Sequence, residues 1–126
     1  MSEYTETVID HFENPRNCGT MTNPDGTGEI GDPSCGDFLK VFIRVENNII
    51  TDIKYQIKGC PASIACASIM TELATCKDLD EAMMIENEDI VKALGGLPEH
   101  KLHCSNLGAS GLREAIINHV YTYVKR

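Results

Sequence analysis

The chain has 126 residues, 42% of them apolar and 24% charged, the make-up of one globular domain with room for a real core. Lys and Arg number 11 against 19 Asp and Glu, a formal net charge of −8, which argues against nucleic acid as a partner. No apolar run reaches the length of a membrane span, so no membrane is expected as a partner either.

The acidic start, Met1-Ser2-Glu3-Tyr4-Thr5-Glu6, reads as neither signal nor transit peptide, and the chain is read as cytoplasmic; a processed mitochondrial protein would look the same. In that setting the six cysteines point away from disulfides and toward metal or redox chemistry.

Tyr4, Val8, Ile9 and Phe12 have helical spacing, and Pro15 stops the helix. Residues 16–36 are rich in glycine and proline and read as a loop, with a short edge strand near Gly28-Glu29-Ile30. Leu39, Val41, Ile43 and Val45 then alternate with Phe38, Lys40, Phe42 and Arg44. Ile53, Tyr55 and Ile57 alternate with Asp52, Lys54, Gln56 and Lys58. Asn47-Asn48 between them tolerates the positive φ of a tight turn, so the two runs form an antiparallel hairpin.

Pro61 fits the first turn of a helix running to about Thr75, with Ile64, Met70 and Leu73 inward. Asp78 and Glu81 make a capping box for a short helix through Met84. Asn87 caps another through Leu94, ended by Gly95-Gly96 and Pro98. The last helix shows an apolar stripe of Leu112, Ala115, Ile116, His119, Val120 and Tyr123. A sheet made first and helices mostly after is an α+β fold: about three antiparallel strands, helices packed mainly on one face, one domain over residues 1–126.

Three cysteines fall in three separate turns, each at the mouth of a different element: Cys35 in Ser34-Cys35-Gly36-Asp37, Cys60 in Gly59-Cys60-Pro61, and Cys104 in His103-Cys104-Ser105. Thiolates with the Asp37 carboxylate and the His103 imidazole suit zinc, iron or an iron–sulfur cluster. A helix start stabilises the thiolate, the form that ligates metal, and Cys60 and Cys104 both stand at one. Cys35 precedes the first hairpin strand and Cys60 follows the second, so they share one end of the hairpin. That geometry does not by itself bring Cys104 there.

The other cysteines read differently. Cys66 lies six residues past Cys60, roughly 240° round a helix at ~100° per residue, and is read as a small buried hydrophobe. Cys18 and Cys76 have no ligand-type neighbours and are read as incidental. His11 and His119 are read as structural, and His100 is left outside the site. Asp37 has a second reading as a strand cap. His103 and Cys104 are not read as a nucleophile pair, because neither an oxyanion hole nor a third orienting group accompanies them; the chain is not expected to be an enzyme.

At these residues the chain resembles the IscU/NifU-type iron–sulfur cluster scaffold family over nearly its whole length. The matching pieces are Val8-Ile9-Asp10-His11-Phe12-Glu13-Asn14-Pro15-Arg16-Asn17, Cys35-Gly36-Asp37, Gly59-Cys60 and Lys101-Leu102-His103-Cys104-Ser105. The resemblance implies an α+β scaffold without turnover chemistry of its own. A transient 2Fe–2S cluster is assembled on it from iron and desulfurase-derived sulfide, then passed to acceptor apoproteins. It carries cluster ligation onto Cys35, Cys60 and Cys104, with Asp37 and His103 as additional or exchanging ligands. Implied partners are a cysteine desulfurase, iron or electron donor proteins and acceptor apoproteins, with a homodimer left open when cluster is bound. His103, and the lack of an insertion between Cys60 and Cys104, make the chain similar to IscU rather than to the SufU-like branch. The alternative is a zinc-binding sulfur acceptor or zinc-stabilised regulatory module on the same residues; zinc would also suit the cluster-free form.

Three positions depart from the family pattern. Leu97-Pro98-Glu99-His100-Lys101 stands where Leu-Pro-Pro-Val-Lys is usual, which counts against docking of a DnaK-type chaperone. Pro61 replaces a usual glycine and stiffens its turn. Gly108 and Gly111 replace alanine-like residues, each weakening a helix by roughly 1 kcal/mol. The helix after Cys104 is therefore expected to begin late or fray, leaving Cys104 mobile and the first choice to take up sulfur.

Overall fold

The structure, a computed structural model, describes residues 3–31 and 36–125, with side chains through residue 122. Thr5 caps α1 (Glu6–Glu13), its hydroxyl accepting from the Val8 N–H at 3.1 Å. The inward residues of α1 are Val8 and His11. Phe12, expected inward, is 40% exposed. His11 takes the buried place because it finds partners there: Nδ1 lies 2.7 Å from Ser68 Oγ and Nε2 3.3 Å from Glu72 Oε1.

The glycine-rich stretch is more ordered than its composition suggests. β1 (Gly26–Gly31) is a strand of 6 residues, antiparallel to β2 (Phe38–Glu46). A Cβ at Gly28 would run into the Ala115 nitrogen and the Gly111 carbonyl of the last helix. The missing side chain is thus a packing surface on which a helix lies against strand backbone.

β2 pairs with β3 (Ile49–Lys58) across Asn47 and Asn48, at φ 53° and 66°, as the hairpin reading requires. Sheet order is β1-β2-β3. Leu39, Val41, Ile43, Ile53 and Tyr55 point to one face and are fully buried, while Lys40, Arg44 and Lys54 on the other are half-buried.

α2 (Pro61–Ala74) packs against α1, β3 and the later helices, so its surface is enclosed on most sides. Small residues make that possible: Ala62, Ala65, Cys66, Ala67 and Ser68 are buried with Met70, whereas Ile64 and Leu73 are only half-buried. α3 (Leu79–Met83) is capped by Asp78, which accepts from the Glu81 N–H at 2.8 Å. α4 (Asn87–Ala93) begins one residue earlier than expected: Glu86 is the cap, its N–H bonded to Asp89 Oδ2 at 2.8 Å. The Asn87 amide instead reaches Asn106 Oδ1.

A short 3-10 turn (Glu99–Lys101) leads into α5 (Cys104–Lys125), which lies over β1 and β2 and against α2. α5 starts at Cys104, not late. Gly108 and Gly111 are buried, and a Cβ at Gly111 would come within 2.8 Å of Leu39 Cδ2 and 3.0 Å of Val41 Cγ2. The intrinsic helix penalty is offset there by close approach to the sheet. Leu112, Ala115 and Ile116 are buried, but Val120 is 44% exposed; the Tyr123 side chain lies outside the described residues. No described helix is long and apolar enough to cross a membrane.

Candidate metal centre

Three chain segments meet at one end of the sheet. The pair Phe38↔Lys58 closes the hairpin ladder, which puts Asp37 and Gly59 side by side just beyond it. Cys60 is the N-cap of α2, extended at φ −77° and ψ 168°, with Pro61 opening the helix behind it. Cys104 opens α5, and the packing of α5 on α2 supplies the approach that the hairpin alone could not.

The Cys60 and Cys104 sulfurs lie 3.6 Å apart. A disulfide needs about 2.05 Å, and every described cysteine is a free thiol. A tetrahedral metal with metal–sulfur bonds of about 2.3 Å sets two sulfur ligands about 3.8 Å apart, so the pair already stands at ligating separation. His103 Nε2 lies 3.7 Å from the Cys104 sulfur, on an exposed side chain. Asp37 reaches the pair through Ser63, whose hydroxyl is 3.4 Å from Asp37 Oδ2 and 3.4 Å from Cys60 Sγ.

Cys35 lies outside the described residues. Of the other expected ligands, Cys60 and Cys104 are brought together, His103 stands beside Cys104, and Asp37 is linked to Cys60 by Ser63. Among the described residues, no three Cys, His, Asp or Glu side chains converge as a metal site.

The two thiols differ in acidity. Burial works to raise the Cys60 pKa, but the Ser63 hydroxyl and the N–H groups of Ser63 and Ala62 outweigh it and hold Cys60 below the ordinary thiol range. Cys104 is 3% exposed, and burial together with its neighbour Cys60 pushes it up, against the Ser63 hydroxyl and the pull of Lys101. Of the pair, Cys60 gives up its proton more readily than Cys104. Lys101 answers to the same charge: the Cys60 thiolate is the main cause holding its ammonium above the usual range.

The remaining candidates sit elsewhere. Cys66 is fully buried, and burial pushes its thiol up to about 12. Cys18 and Cys76 are exposed. His119 Nδ1 lies 3.1 Å from the Asp25 carbonyl, and His100 is exposed, 3.7 Å from Glu3. The late helix start expected after Cys104 is not found: α5 begins at Cys104, and the turn before it is bonded, Ser105 Oγ donating to the Leu102 carbonyl at 2.8 Å. Sequence reasoning missed Ser63 and Lys101. Ser63 had a signal, since the third residue of a helix folds its side chain back over the cap. Lys101 had none beyond its place in the motif.

The NifU-like N-terminal domain family matches the chain over residues 3–125. The iron–sulfur cluster assembly scaffold protein IscU 1 of Archaeoglobus fulgidus is 48% identical over 116 residues, covering 92% of this chain and 76% of that one. The scaffold protein IscU of Escherichia coli is 44% identical over 120 residues, 92% and 93% of the two chains. Among solved structures, a nitrogen-fixing NifU-like protein (N-terminal) from Brucella abortus superposes with a TM-score of 0.74 over 94% of this chain and 95% of that one. At 17% identity that likeness speaks for the fold alone.

Proposed function

Because the chain belongs to the NifU-like N-terminal domain family, we propose that it is a scaffold on which an iron–sulfur cluster is assembled and from which the cluster is passed on. The observation that carries this reading is the Cys60–Cys104 pair, 3.6 Å apart at two helix mouths, with an exposed carboxylate and imidazole beside it. The cluster is cargo, not a resident cofactor, and 2Fe–2S is the form we assign. Cys35, Cys60 and Cys104 supply thiolates for iron. Asp37 and His103 supply harder ligands that exchange more readily, which suits a site that must also let go.

Within the pair the division of labour follows from charge. Cys60 gives up its proton to iron more readily than Cys104, and the Lys101 ammonium favours the loss from Cys104. Iron and electrons come from donor proteins, sulfide from a cysteine desulfurase, and acceptor apoproteins take the product. The protein itself turns nothing over, and its single domain spans residues 1–126.

The test is anaerobic incubation of the protein with ferrous iron, a cysteine desulfurase and cysteine. The expected product is brown and holds iron and acid-labile sulfide in equal amounts. A colourless protein with stoichiometric zinc would reject the scaffold in favour of the zinc-bound sulfur acceptor.

A further inference from the structure

Ser63 is 1% exposed, and its hydroxyl stands between two groups of the site. Its oxygen is 3.4 Å from Asp37 Oδ2 and 3.4 Å from Cys60 Sγ. A serine hydroxyl has one proton, so it donates to the carboxylate or to the sulfur and not to both. The separation is ordinary for a sulfur contact and long for O–H···O, which fits a donor shared between two acceptors.

The backbone is shaped around this arrangement. A Cβ at Gly59 would come within 3.0 Å of Ser63 Cβ, 3.3 Å of Ser63 Oγ and 3.3 Å of Asp37 Oδ1. Glycine there lets the carboxylate and the hydroxyl close over the turn. Asp37 is otherwise exposed, and among the described residues Ser63 is the side chain that donates to it. The exposed carboxylate is therefore held by a buried group on the rigid first turn of α2.

We propose that Ser63 is a positioning residue of this site, a latch whose one proton is shared between Asp37 and Cys60 in the cargo-free protein and passes wholly to the Cys60 sulfur when the carboxylate swings out to metal. Only that last movement rests on the scaffold reading; the latch itself belongs to the cargo-free chain. A long, shared hydrogen bond is strong enough to orient an exposed carboxylate and weak enough to yield it to a cation. Once Asp37 has left, the freed hydroxyl leaves the sulfur with a donor.

The latch predicts a coupling between two substitutions. In metal-free full-length protein at one fixed pH, alkylation of Cys60 by iodoacetamide is followed by peptide mass spectrometry. Asp37→Ala frees the hydroxyl for the sulfur and speeds the reaction. The acceleration should be at least threefold larger with Ser63 present than in Ser63→Ala, and Ser63→Thr should restore it. Labelling of Cys66 reports any unfolding, and Ser63→Val, which keeps the shape of Ser63→Thr without its hydroxyl, replaces Ser63→Ala if that variant fails to fold. Equal accelerations in the two backgrounds would overturn the proposal. No iron or sulfide is present, so a missing coupling rejects the latch and leaves the scaffold reading standing. Failure to take up iron and sulfide does the reverse.

Discussion

Cys60 and Cys66 belong to the same helix and have opposite chemistry. At the mouth of α2, free N–H groups and the Ser63 hydroxyl hold the Cys60 thiol below its ordinary range despite partial burial. Six residues further in, the enclosed middle of the helix pushes Cys66 up to about 12 and leaves it inert. The residue type is identical; what differs is whether unsatisfied backbone donors or hydrocarbon face the sulfur. The mouth of α2 is built to hold charge and its interior to exclude it.

The largest expected effect lies along that divide. Cys60→Ser and Cys104→Ser should each abolish cluster loading, measured as bound iron and acid-labile sulfide, with the far-ultraviolet spectrum unchanged. Cys35→Ser should behave alike. Cys66→Ala should lose about 1 kcal/mol of stability and keep its cluster. A folded Cys66→Ala protein without cluster would break the comparison.

The contrast is also visible without any metal. At pH 7, alkylation of Cys60 should outrun that of Cys104, because the first thiol is held below its ordinary range and the second above it. Cys66 should remain unlabelled until denaturant is added. Faster labelling of Cys104 would reverse the assigned order of acidity.

A third expectation concerns the other buried ionisable group on the flank of α2. Burial, helped by Arg16, holds His11 below its ordinary value of 6.5. The folded protein therefore keeps His11 neutral while the unfolded chain takes up a proton. That contribution to stability is complete above about pH 6.5 and is lost as pH falls through the lowered value. Thermal melts should show the midpoint falling between pH 7 and pH 5, an effect largely absent in His11→Gln. A pH-independent melt would place the proton on the folded protein.

The smallest effect separates the two glycines of α5. A Cβ at Gly108 meets Ile90 at 3.3 Å and the Cys66 carbonyl at 3.4 Å, so Gly108→Ala should fit and recover up to about 1 kcal/mol of helix propensity. Gly111→Ala, pressed on Leu39 and Val41, should instead lower the melting temperature. Equal shifts from both would deny α5 its close seat on the sheet.

Much of this was legible in the sequence. Alternation in residues 38–58, the Asn47-Asn48 turn and the proline after Cys60 fix the hairpin and the start of α2, because those signals are local. Cys60, Cys104 and His103 stood out for the same reason: a cysteine at a turn is a poor place to bury a hydrophobe. Composition misled at Gly26, Gly108 and Gly111, where glycine marks contact between distant elements. The exposure of Phe12 escaped for a related reason, since His11 is buried by partners more than fifty residues away. Ser63 was missed because its importance depends on Asp37, which only the folded hairpin brings to it.

A scaffold must give up what it builds, and this is the claim to test most directly. The protein loaded with cluster is mixed anaerobically with an apo-ferredoxin, and circular dichroism in the visible range follows which polypeptide carries the cluster. The account predicts transfer to the ferredoxin within minutes and recovery of free thiols on this chain, with transfer several-fold slower from Asp37→Ala, whose harder exchangeable ligand is gone. A cluster that stays where it was assembled would contradict it, making the protein a resident iron–sulfur protein rather than a scaffold.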